Sequence, residues 1–192
     1  IVCIFGGLGN QMFQYAAGRA LAEHHGTDLK LDIFNDRDYK KHSNLTYRKY
    51  MLGNFHIKEK IANKDEINQY ITSRNSRVLR RLRLAFENIK PLEKRSYIYD
   101  MEGNTRNDFF KLSSDIYLTG YFGSEFYFSN IKSIIRDEYH LKSKPDNLNE
   151  KYLKIIKSCN SVSIHIRRGD YVTKPVNTKI IGVLPLEYYY NA

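Results

Sequence analysis

The chain has 192 residues, 42% of them hydrophobic and 27% charged, and its 31 basic and 21 acidic residues leave a formal net charge of +10. This length and composition suit one large domain, or one domain plus part of another, with a real core. The charge favours anionic partners: nucleotide phosphates, nucleic acid or an acidic membrane face. Two cysteines, Cys3 and Cys159, exclude a disulfide framework and read as buried free thiols, and no apolar run approaches the length of a membrane-spanning helix.

Ile1 to Phe5 is a short apolar run closed by glycine, the pattern of a buried parallel strand. Gly6-Gly7-Leu8-Gly9-Asn10 reads as a turn and Gln11 to His25 as a helix, with Met12, Phe13, Ala16, Ala17, Ala20 and Leu21 at helical spacing and Gly26 as C-terminal cap. Leu29 to Phe34 alternates like a second strand, so the first 34 residues form a βαβ unit. The stretch 35–60 is polar and irregular, with an apolar island from Tyr50 to Ile57. Helices are expected over Asp65–Ile71 and Ser76–Ile89, and strands over Tyr97–Tyr99 and Ile116–Tyr121. Ser124 is placed to cap a helix through Tyr139. Asn147 with Glu150 three residues on has capping-box spacing for a helix to Ser158. In Ser161–Ile166, Val162, Ile164 and Ile166 alternate with Ser161, Ser163 and His165 as in a strand with one apolar face. Leu186 to Ala192 begins a further helix. The chain opens within a strand and without methionine, which suggests a fragment.

Chemistry concentrates at two places. Directly after the Ser161–Ile166 run come Arg167, Arg168, Gly169 and Asp170. Ligands in open α/β sheets bind just beyond the carboxyl ends of strands, and paired guanidiniums there suit a phosphate or carboxylate. Asp170 either holds one arginine in place or faces the reacting centre. The second place is Gly6–Asn10, where glycines precede a helix N-terminus whose free N–H groups favour an anion. It is neither a dinucleotide fingerprint, because Met12 occupies the third glycine position, nor a P-loop. The side-chain amides of Asn10 and Gln11 are suited to orienting a hydroxyl or a diphosphate.

Other signals are weaker. Asp36-Arg37-Asp38 has the spacing of a metal-binding acidic pair, but three loop residues read first as a solvated charged turn. Arg77, Arg80, Arg81 and Arg83 interleave with Val78, Leu79, Leu82, Leu84 and Phe86, the pattern of an amphipathic helix with a basic outer face. RNA binding and contact with anionic lipid headgroups are the lesser readings of that helix. The histidines make no zinc pattern.

Taken together, Gly6 to Tyr15 and His165-Ile166-Arg167-Arg168-Gly169-Asp170-Tyr171 resemble the bacterial α-1,2-fucosyltransferases. Gly120-Tyr121-Phe122-Gly123-Ser124-Glu125-Phe126-Tyr127-Phe128 resembles a further segment of that family, with Gly123 where glutamine is usual. So does Gly182 to Tyr189, with Ile181 where histidine is common. The resemblance runs from Ile1 to Ala192 and lacks the family's C-terminal Ser/Phe/Trp-rich motif, as if this were the first two-thirds of the enzyme. It implies an α/β, GT-B-like fold of two Rossmann-like domains with the active site in the cleft between them: residues 1–158 on the acceptor side, and 159–192 as the start of a GDP-sugar-binding domain. It further implies metal-independent, inverting transfer of fucose from GDP-L-fucose, with no cofactor, to the 2-hydroxyl of a terminal galactose. By motif, Arg167 holds the donor diphosphate, with Arg168, His165 and Asp170 around it, and Gly7, Gly9 and Asn10 form the facing loop. His165 and Asp170 are the candidate bases, and departure of the leaving group without a committed base is the other option. The alternatives are another GDP-sugar or acceptor position, or a nucleic-acid-binding module using the Arg77–Arg83 helix. The expected setting is cytoplasmic, with peripheral contact at the inner membrane face the lesser reading that the basic helix adds.

Overall fold

In the computed structural model, four short parallel strands form one sheet in the order β2-β1-β4-β3. The structure describes residues 1–34, 48–71, 77–166, 168–173 and 182–190. The strands are β1 (Val2–Cys3), β2 (Leu31–Asp32), β3 (Tyr97–Asp100) and β4 (Tyr117–Gly120). All four belong to the first of two compact units, whose described residues lie within Ile1–His42 and Tyr47–Ser143; those of the second lie within Lys144–Ala192. This division falls one helix ahead of the expected functional boundary at 158/159.

The sheet is buried on both faces because its strands alternate two apolar sets. Val2 and Ile4 pack with Leu31, Ile98 and Leu118 against Tyr15, Ala16, Ala17, Ala20 and Leu21 of α1 (Leu8–His25). Cys3 and Phe5 point the other way, into a smaller cluster with Ala62, Tyr97, Tyr117 and Ile67 of α2 (Lys64–Tyr70). Helical cover on both faces is what a parallel sheet requires. Strand β1 sits at the centre: Val2 N donates to Lys30 O and Ile4 N to Asp32 O, both at 2.9 Å, while Leu118 N donates to Ile1 O at 2.9 Å.

Helix α1 begins at Leu8, three residues ahead of the expected Gln11, so Gly9 and Asn10 belong to its first turn. The cause is Gly7, which is extended (φ −70°, ψ 166°) and serves as N-cap. Gly26 closes the helix in the left-handed conformation, as expected. The expected helix from Ser124 to Tyr139 is instead a 3₁₀ segment, Glu125–Ile131, followed by α4 (Lys132–Glu138). Phe128, at φ −137°, breaks the regular path, although Ser124 does cap the start by accepting from Phe126 N. Helix α4 is tied to α1 by a buried polar cluster. Glu138 accepts from the Tyr15 hydroxyl at 2.6 Å and from Arg19 Nε at 3.1 Å, and burial with that hydrogen bond pushes the Tyr15 phenol well up.

The amphipathic helix, α3 (Arg77–Ile89), faces opposite to expectation. Val78, Leu82, Phe86 and Ile89 are exposed, while Glu87 is buried. Glu87 accepts from Ser96 N at 2.8 Å and from Lys90 Nζ at 2.7 Å, so a buried polar contact, beside partly buried Leu84, seats the helix before β3.

In the second unit, α5 (Asn147–Lys157) is capped by Asp146, whose carboxylate accepts from Asn149 N at 2.8 Å. The cap is therefore one residue before the expected Asn147, and Asn149 occupies the position given to Glu150. Cys159 is exposed, against the expectation of a buried thiol, whereas Cys3 is buried as expected. Short helices α6 (Gly169–Thr173) and α7 (Leu186–Tyr190) complete the described residues.

Candidate functional site

In open α/β sheets ligands bind in the crevice outside the carboxyl ends of the strands, and here β1 and β4 lie side by side in parallel, so their exits share one edge. The chain leaves β1 through Phe5-Gly6-Gly7 and leaves β4 through Gly120-Tyr121-Phe122. Gln14, fully buried on the first turns of α1, joins the two exits: its Oε1 accepts from Phe5 N at 2.9 Å and its Nε2 donates to Gly120 O at 3.1 Å. Gln11, also buried, donates to Gly6 O and Lys49 O and accepts from Met51 N, at 2.8–2.9 Å. Gln11 thus serves the backbone of the site and is not the ligand-orienting amide expected from its position beside Asn10.

What remains open at this edge is the start of α1. Gly9 and Asn10 are exposed and Gly7 partly so, the first turn holds no acidic residue, and no side chain caps it. Leu8, Gly9 and Asn10 therefore present the N–H groups that no helical carbonyl accepts, at the positive end of an 18-residue helix. Gly6 has φ +77°, and a Cβ on it would stand 2.8 Å from Asn10 Nδ2. The turn is thus closed down on the amide that heads the helix, an arrangement suited to an anion or a sugar hydroxyl.

The β3 and β4 exits form the rest of the edge. Asp100, 3% exposed, accepts from Gly103 N, Asn104 N, Thr105 N and the Thr105 hydroxyl at 2.6–2.9 Å. Burial alone would raise its carboxyl, but these donors outweigh it and hold the group below the usual carboxylate range. A Cβ on Gly120 would stand 2.1 Å from Asp100 O, so only glycine allows the two strand ends this close. Phe122, buried, sits at φ +47°, an uncommon conformation for a side chain of its size. Beside it, the Arg106 guanidinium lies 4.8 Å over the Phe126 ring, and Tyr121 is exposed against Phe5. Neither Gln14 nor Asp100 was expected from the sequence. The signal for Gln14 was the i, i+3 pair Gln11/Gln14 heading the buried stripe 14, 15, 18, 21 and 22 of α1.

In the second unit the expected strand Ser161–Ile166 has no ladder partner among the described residues. Val162 is 90% exposed and Ile164 72%. Alternation gives a segment one apolar face, but a strand exists only where backbone pairs with backbone, and the described residues of this unit contain no second strand. His165, Arg168 and Gly169 are exposed, and Gly169 has φ +40° where α6 starts. Asp170 falls in the first turn of α6, whose Thr173 hydroxyl donates to Gly169 O at 3.1 Å. Arg167 and the Asp36–Asp38 pair lie outside the described residues. The structure therefore groups Gly7, Gly9 and Asn10 in one unit, and His165, Arg168 and Asp170 along one segment of the other.

The sequence model of glycosyl transferase family 11 matches residues 2–192. Among curated proteins, an alpha-1,2-colitosyltransferase of Escherichia coli is 30% identical over 187 residues, covering 96% of this chain and 59% of its own length. An O-antigen biosynthesis glycosyltransferase WbnK of Escherichia coli is 30% identical over 212 residues, covering 99% of this chain and 65% of its own. The chain thus spans about three-fifths of the length of the curated relatives it matches. No solved structure matches it.

Proposed function

The chain belongs to glycosyl transferase family 11, and from that premise we propose that it serves inverting, metal-independent transfer of L-fucose from GDP-L-fucose to the 2-hydroxyl of a terminal galactose. The observation that carries the reading is the family match over residues 2–192, which spans both the glycine turn and His165–Tyr171. The fold proposed for the whole enzyme is GT-B-like, with residues 1–158 serving the acceptor side and 159–192 opening the donor-binding domain.

The chemistry assigns roles as follows. Cleaving the bond between the anomeric carbon and the diphosphate oxygen leaves that bond's electron pair on GDP while the sugar gains oxocarbenium character. Arg167 meets the growing negative charge with a bidentate fork, and Arg168 braces the segment beside it. Attack by the galactose 2-hydroxyl on the opposite face of the sugar inverts the anomeric centre. Its proton passes to His165 or Asp170, the two acceptors that this segment offers, or to solvent as GDP departs. The open first turn of α1, at Gly7, Gly9 and Asn10, is proposed to contact substrate hydroxyl or phosphate oxygens.

One relative supports a second donor. An alpha-1,2-colitosyltransferase transfers a sugar differing from L-fucose by the loss of the 3-hydroxyl, so GDP-colitose is the alternative donor, and the WbnK name points to an O-antigen glycan as acceptor. A site that hydrogen-bonds the 3-hydroxyl rejects the deoxy sugar by about 10⁴–10⁵, whereas an apolar lining discriminates by only about 10²-fold. The test is transfer to galactose-terminated acceptors from GDP-L-fucose, GDP-colitose and GDP-mannose, with GDP binding followed by calorimetry. Preference for GDP-L-fucose supports the proposal, preference for GDP-colitose replaces the donor, and transfer from neither with no GDP binding refutes it.

A further inference from the structure

Helix α3 is built in the reverse of a core helix. At about 100° per residue, Val78, Ile89, Leu82 and Phe86 fall within an arc of roughly 80°. The same four are 62–83% exposed. Glu87 lies roughly opposite that arc and is buried at the foot of β3, with partly buried Leu84 and with Arg83 over the Tyr97 ring. The outward direction of the apolar stripe is therefore set by contacts within the first unit. Arg81 borders one edge of the stripe and Lys90 the other, with Lys90 Nζ 4.9 Å over the Phe86 ring. Between residues 77 and 95 the sequence holds Arg77, Arg80, Arg81, Arg83, Lys90, Lys94 and Arg95 against only Glu87 and Glu93, and Glu87 is already bonded to Lys90.

We propose that α3 is a membrane-surface helix, laying its Val78–Leu82–Phe86–Ile89 stripe into the acyl boundary of an anionic bilayer while the flanking cations meet the headgroups. At 13 residues the helix is about 20 Å long and lies in the interface, and no described helix is long and apolar enough to cross a membrane. Charge complementarity selects this occupant. A second copy docked through the same face would set Arg81 and Lys90 rims against each other, and a nucleic acid would leave Val78, Leu82 and Ile89 in water. The proposal does not depend on the sugar chemistry proposed above.

The chain contains no tryptophan, so Phe86→Trp places a single probe on the stripe. The 192-residue protein is mixed with phosphatidylcholine vesicles containing 25% phosphatidylglycerol, and with phosphatidylcholine vesicles alone. Expected are a blue-shifted emission quenched by brominated acyl chains, and cosedimentation at least tenfold stronger with the anionic vesicles and weakened by salt. Leu82→Glu combined with Phe86→Glu is expected to remove binding at least tenfold, and Arg81→Ala to weaken it roughly fivefold, the value of one charge at the surface. Circular dichroism confirms folding of these surface variants. The proposal is overturned by equal binding to neutral vesicles, by binding that survives the double variant, or by a lipid-independent blue shift that grows with protein concentration. Loss of binding only on Ile155→Glu with Ile156→Glu, which alters the exposed apolar residues of α5, overturns it as well.

Discussion

Gln14→Leu tests the claim that one buried amide holds the β1 and β4 exits together. Leucine fills nearly the same volume but leaves Phe5 N–H and Gly120 C=O without the partners they have at 2.9 and 3.1 Å. Each stranded buried group costs about 1–3 kcal/mol, and the added apolar burial offsets part of this, so the net loss is about 1–5 kcal/mol. In a domain of this size that corresponds to a Tm lower by on the order of 10 °C. Gln14→Glu sharpens the test. Its carboxylate still accepts from Phe5 N, but ionised it cannot donate to Gly120 O, and burial raises its folded-state pKa above the unfolded value. The ionised form is the one folding disfavours, so the cost is full above the folded pKa and shrinks as pH falls and the acid O–H replaces the amide donor. Urea unfolding at pH 7 and at about pH 5 reads both effects, with Gln69→Leu on the exposed side of α2 as control. A loss below about 0.5 kcal/mol for Gln14→Leu, or a Gln14→Glu cost that does not shrink on acidification, refutes the reasoning.

Three further outcomes are expected. Arg167→Ala should lower kcat/KM by about 10²–10³-fold and weaken GDP binding, with Arg167→Lys recovering only part because an ammonium lacks the fork; unchanged calorimetry and rates in Arg167→Ala would remove it from the mechanism. Transfer should survive EDTA, and Asp36→Ala with Asp38→Ala should alter it little, so activity lost to chelation and restored by Mn²⁺ or Mg²⁺ overturns metal independence. Asp100→Asn should cost about 1–3 kcal/mol at neutral pH, because the carboxylate's depressed pKa stabilises the fold above the usual carboxylate range. That contribution is lost as pH falls through the folded value, so the difference from the parent should narrow on acidification below the usual carboxylate range.

What was legible in the sequence was what local pattern decides. The βαβ start, the glycine cap at Gly26 and strands β3 and β4 follow from periodicity and punctuation over a few residues. What was not legible depends on partners far along the chain. Helix α3 has an unmistakable apolar face, and it is Glu87 bonding to Ser96, with Leu84 and Arg83 against the cluster around Tyr97, that turns this face outward. Ser161–Ile166 carries a strand's alternation without a pairing partner among the described residues. Of the site, the glycine turn stood out for its composition, but Gln14 lay hidden in a helix that reads as ordinary because nothing local says that its amide meets Gly120, 106 residues later.

The place of β1 in the sheet has a consequence for how the molecule is made. The central strand is synthesised ahead of both its partners, and one of its two edges pairs with Leu31 soon afterwards. The other edge waits for Leu118, and until then the apolar Val2–Phe5 segment has unpaired backbone along one side. At about 5–20 residues per second, that wait lasts on the order of ten seconds on the ribosome. Nascent chains stalled before β4 should therefore be the ones that chaperones hold and that aggregate when released, and chains stalled after Gly120 should not.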